Sequence, residues 1–180
     1  MKKLLVTIII ITSAKISFGQ YPKEMTPQSL QKIKTEIEKQ IPVIKKSLYK
    51  QNLTEKEIEF IVDTFRIEEL CSRRMEIDYS TSGMNDAMDE REKEYDKLLN
   101  KYYNKLLNLL KNDDKKTLIK AQRAWLAYRD AEFELIGTLT IDEYSGGGTI
   151  QSNIASGERC ELVVNRTIEI YNYYNGIITD

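Results

Sequence analysis

Glu132, Glu134, Asp142 and Glu143 are the residues that come nearest to supporting a reaction. Two carboxylates held ~5–10 Å apart across a glycosidic bond can share acid, base and nucleophile roles. Charged helix surfaces offer such pairs routinely, so these four acids alone do not define a glycan-cleaving enzyme. Beside them runs Gly146-Gly147-Gly148. No Gly-Lys-Ser/Thr follows it and no parallel-strand pattern precedes it, so it is not a phosphate loop. It reads as a flexible turn, or as an exposed loop that enters a partner's groove. The chain has no histidine, which removes Ser-His-Asp and Cys-His machinery and histidine-ligated metals. Its two cysteines cannot complete a four-thiolate zinc site. No catalytic residue, metal or cofactor is assigned, and the protein is read as a non-enzyme.

A second group of residues shares one helical face. Within Ala121 to Asp130, Gln122, Trp125 and Arg129 are three and four residues apart. Trp125, the single tryptophan, is expected to anchor a core rather than to stack on a ligand. Arg129 on the same stripe needs a partner, because an unpaired buried charge is costly. Asp96 or the amide of Asn100 is the expected partner.

The elements that must position these residues are helices. Thr26-Pro27 signals a helix start. Leu30, Ile33, Ile37, Ile41, Ile44 and Leu48 follow at helical spacing, and Pro42 is expected to kink or split this segment. Thr54 to Glu57 spells a capping box ahead of Ile58, Ile61, Val62, Phe65 and Leu70. A turn over 78–83 precedes a long amphipathic helix over about 84–111. The next helix carries Leu118, Ala121, Trp125, Tyr128 and Ile136. Residues 137–149 read as one long irregular segment, and a last helix spans about 151–174. Short connections between long helices predict an all-α antiparallel bundle of four to five helices with one Gly-rich loop.

The N-terminus reads as an export signal. Lys2 and Lys3 precede an apolar run from Leu4 to Ile11, and Ser17-Phe18-Gly19 supplies small residues for cleavage before Gln20. The run is too short to span a bilayer comfortably, so no permanent membrane anchor is expected. Residues 1–19 are thus a signal peptide, 20–77 an N-terminal helical segment and 78–180 a second helical unit. Cleavage leaves 161 residues and removes three lysines and no acid, so the formal charge moves from −1 to −4. Nucleic acid is a poor partner for that charge. Export also permits one disulfide, Cys71 to Cys160, in place of two buried free thiols.

At these residues the chain resembles the LprI-type lysozyme-inhibitor-like family of small exported bacterial domains. Thr81 and Met84 match its first element, and Asp96, Leu99, Asn100 and Tyr103 its second. Gln122, Trp125, Arg129 and Asp130 match the third and most specific. The glycine run, Cys160 and Arg166 match the rest, so the resemblance covers about residues 71–174. Two further family cysteines are replaced here by Ala87 and Phe133, which suggests apolar packing in place of a bridge. The resemblance implies a periplasmic or extracellular binding protein that inhibits lysozyme, with Asp142, Glu143, Tyr144 and Gly146 to Gly148 as the candidate contact loop. The alternative is an envelope interaction module with no lysozyme role and another envelope protein as partner.

Overall fold

The computed structural model describes residues 21–178. The expected signal peptide lies outside the described residues. Six helices follow in order: α1 (Pro27–Tyr49), α2 (Glu55–Ile77), α3 (Thr81–Leu109), α4 (Asn112–Leu139), α5 (Asp142–Ser145) and α6 (Ile150–Gly176). No strand occurs among the described residues, and the fold is an all-α bundle.

Local chemistry sets the helix starts. The Thr26 side chain accepts from the Ser29 backbone, with Pro27 in the first turn of α1. Thr54 and Glu57 form the reciprocal capping box of α2. Ser80 caps α3 by accepting from the Gly83 N–H. Asp113 and Asp114 occupy the first turn of α4, where the helix dipole favours acids.

The most extensive pairing joins α3 to α6. Leu98, Leu99, Tyr102 and Leu106 meet Val163, Val164, Ile170 and Tyr171 there. α2 closes this core with Ile67 and Phe60, whose ring stacks on Tyr171 at 3.7 Å and meets Tyr102 edge-on. α1 packs on α2, where Ile41, Leu48, Ile58 and Val62 form a second small core. α4 packs on α6.

Three expectations change. α1 runs unbroken through Pro42, which sits on its exposed side. The expected irregular segment at 137–149 shrinks, because α4 continues to Leu139 and α5 forms one further turn. Ala121 and Tyr128 are exposed, so α4 has only Leu118 and Ile136 buried. α4 packs chiefly on α6 and touches α3 along one edge, which leaves much of its apolar width in water.

Candidate binding surface

The Gln-Trp-Arg face of α4 turns inward, as its residue types require. Trp125 is half-buried against the main core. The guanidinium of Arg129 lies 5.5 Å from its ring centroid, and that of Arg166 lies 5.7 Å away. Arg129 also sits 5.7 Å from the ring of Phe133, where Arg159 reaches to 6.0 Å. Three cations and two rings therefore interleave along the α4–α6 seam.

Each cation has acceptors. Arg166, only 8 % exposed, donates twice to Gln122 Oε1 at 3.0 Å and once to Glu169 at 2.7 Å. Arg129 reaches Asp96 at 3.7 Å but holds Asp130 more closely, at 2.6 Å. The expected pairing with Asp96 is present, and Asp130 is the tighter partner. Asn100 takes no part in it: its amide donates to Asp96 Oδ2 and to the Asp96 carbonyl. Asp96, Asn100, Tyr103, Gln122, Arg123 and Arg129 line an open groove of about 420 Å³ between α3 and α4.

The Gly-rich loop stands at the far end of α4. From Arg129 α4 climbs about 15 Å to its end at Leu139, and Asp142 follows three residues on. Gly146, Gly147 and Gly148 all have positive φ, from +77° to +95°, a run that only glycine adopts without strain. The loop is nevertheless tied down. Ser145 Oγ accepts from the Gly147 N–H and donates to the Thr140 and Ile141 carbonyls. Gln151 Nε2 donates to the Ser145 carbonyl, and the Asp142 carboxylate lies against Gly147. Asp142, Glu143 and Tyr144 point into water, Tyr144 at 60 % exposure. Glu134 is exposed and Glu132 half-buried on the last turns of α4. From Asp130 to Glu158 the chain has six acids and no Lys or Arg, between Arg129 and Arg159, so the loop and its flanking turns are acidic in sequence.

Sequence reasoning missed a third group. Arg91 on α3 donates to Glu68 on α2, to Glu161 on α6 and to Cys160 Sγ at 3.1 Å. Burial alone would lower its pKa, but the bonds to Glu68 and Glu161 outweigh that and raise it. Tyr95 donates to the same Glu68. The signal was present: Arg91 lies midway between Ala87 and Tyr95 at four-residue steps, on the stripe that α3 buries.

The cysteines correct a further expectation. Cys71 and Cys160 are both buried and free, and no bridge joins them. The Arg91 guanidinium donates directly to the Cys160 sulfur, which favours the thiolate, but burial outweighs it. Burial pushes the Cys160 thiol up to about 11 and the Cys71 thiol upward as well. Ala87 is fully buried, and Phe133 packs against the main core.

A Gln-Trp-Arg-Asp helix packed on a long last helix, the two joined by a hydrogen-bonded glycine turn, defines a class of small all-helical domain. The chain belongs to the lysozyme inhibitor LprI family, whose model matches residues 71–170. The match runs from the last turns of α2 through most of α6, so it takes in the groove, the loop and Arg166. Comparison with curated proteins and with solved structures finds no match.

Proposed function

We propose that this is an exported, non-enzymatic protein that inhibits a muramidase by contact through the loop Asp142–Thr149. The observation that carries the reading is the loop itself. Its exposed Tyr144 and three left-handed glycines lie within an acidic stretch of the chain, and the chain belongs to the lysozyme inhibitor LprI family. Many lysozymes are basic, so an acidic stretch would steer the loop toward their cleft. The bonds made by Ser145, by Gln151 and by the Asp142 carbonyl, which accepts from the Gly146 N–H, hold the loop in one shape before contact, which limits the ordering cost of binding. No described helix is long and apolar enough to cross a membrane.

The test is lysozyme turnover with the mature chain in micromolar excess, together with binding to an immobilised panel of lysozymes. Inhibition is expected. Tyr144→Ala should weaken it at least about tenfold, the loss typical of an aromatic anchor. No inhibition and no binding would overturn the proposal. Capture of a different envelope protein, with turnover unchanged, would favour the interaction-module reading instead.

A further inference from the structure

α4 is the least covered of the long helices, and its outer face is patterned. Ala121, Ala124, Tyr128, Ala131 and Leu135 recur at steps of three and four, and Leu139 follows four residues on. All six are exposed, with Tyr128 at 51 %, Leu135 at 48 % and Leu139 at 53 %. A period of 3.5 is the repeat of a helix that pairs with another helix. The flank of α4 turned away from α3 therefore carries an apolar seam about 27 Å long that no other described residue covers.

The charges beside the seam indicate its partner. Lys120 borders its first half and Glu134 its second. Lys120 lies seven residues before Ala127 and Glu134 seven after it, on the same flank of the repeat. Neither makes an ion pair among the described residues. A parallel pairing of two copies would set lysine against lysine and glutamate against glutamate. An antiparallel pairing, with its two-fold axis at Ala127–Tyr128, sets Lys120 against Glu134 of the second copy, twice over. It also opposes the helix dipoles favourably.

We propose that two copies of this chain dimerise through the outer face of α4, antiparallel and two-fold symmetric. Such an interface is self-complementary and closed, so it ends at two subunits. Three alanines let the backbones approach, while Tyr128 near the axis and Leu135 and Leu139 further out supply the apolar area. The two glycine loops would then stand about 50 Å apart at opposite ends of the dimer.

Sedimentation velocity on the mature chain, across a concentration series, tests this without reference to any lysozyme. A dimer with Kd below about 100 µM is expected. Leu135→Glu should leave a monomer with an unchanged circular dichroism spectrum. Lys120→Glu should raise Kd at least about tenfold, and adding Glu134→Lys should restore it to within about threefold. A chain that stays monomeric throughout, or a dimer indifferent to Leu135→Glu, overturns the proposal. A charge-reversed pair that fails to recover overturns the antiparallel arrangement.

Discussion

Arg129 is held by two carboxylates and two rings, and only 23 % of its side chain meets water. Arg129→Ala removes both cation–ring contacts and the packing of the stem, so it should cost about 1–2 kcal/mol, read as a lower Tm. A variant as stable as wild type would contradict the packing described. Arg91→Ala should cost a similar ~1–2 kcal/mol by urea unfolding, because a stem and guanidinium only 12 % exposed are lost, while Glu68 and Glu161, 41 % and 54 % exposed, are re-solvated. The first of these residues was legible in the sequence because its neighbours are distinctive. The second was passed over because a charged residue inside an apolar stripe is easily read as surface. The thiols offer a direct check of the same region. Two free thiols per chain should react after unfolding and far more slowly before it, since both are buried and their thiolates are disfavoured. Absence of thiols in the unfolded chain would show the Cys71–Cys160 bridge instead.

At the scale of elements, helix starts were legible because caps are local. Thr26, Thr54 and the acids at 113 and 114 act within one turn of themselves. Burial on α4 was legible for Leu118, Trp125 and Ile136 but not for Ala121 and Tyr128, since two of its faces are apolar and only tertiary packing decides which is covered. Tyr128 reads as core by spacing and is in water because α6 takes the other side. The glycine segment was overestimated for a related reason: Gly137 and Thr138 are poor helix formers, yet α4 carries through them. Pro42 shows the same override in α1. Its ring removes one backbone hydrogen bond and crowds the preceding turn, but Ile41 and Leu48 on either side remain buried against α2. Pro42→Ala should therefore stabilise the protein by about 1–3 kcal/mol. Chemical denaturation reads this, and a loss of stability would mean that the proline fits a bend the helix needs.

The whole molecule is held by buried hydroxyls and thiols on one side of neutrality and paired carboxylates on the other, so its stability should have a plateau in pH. Burial raises the pKa of Cys71, Cys160, Tyr95, Tyr102 and Tyr171. The unfolded chain sheds those protons first, so stability is full below about pH 9 and falls as pH climbs through about 11. On the acid side, hydrogen bonds from Arg66 lower Glu38. Bonds from Lys101 and Lys105 outweigh burial to lower Glu59, and Tyr173, then Arg166, lower Glu169. These carboxylates hold their contribution above their unfolded pKa and lose it as pH drops through the lower folded values. Melting temperatures across the pH range should trace that plateau with a fall at each end; a continued rise above pH 9 would contradict the burial of these groups. Function belongs to this scale too, because the charge of the acidic stretch from Asp130 to Glu158 is a property of the whole stretch rather than of any one side chain. The most direct test maps backbone amide shifts in the mature chain on titration with a lysozyme that it inhibits. Perturbations should cluster at residues 139–150, around Tyr144 and the three glycines, and leave α1 unmoved. Shifts confined to α1 and α2, with the loop silent, would place the contact elsewhere and refute the loop as the inhibitory element.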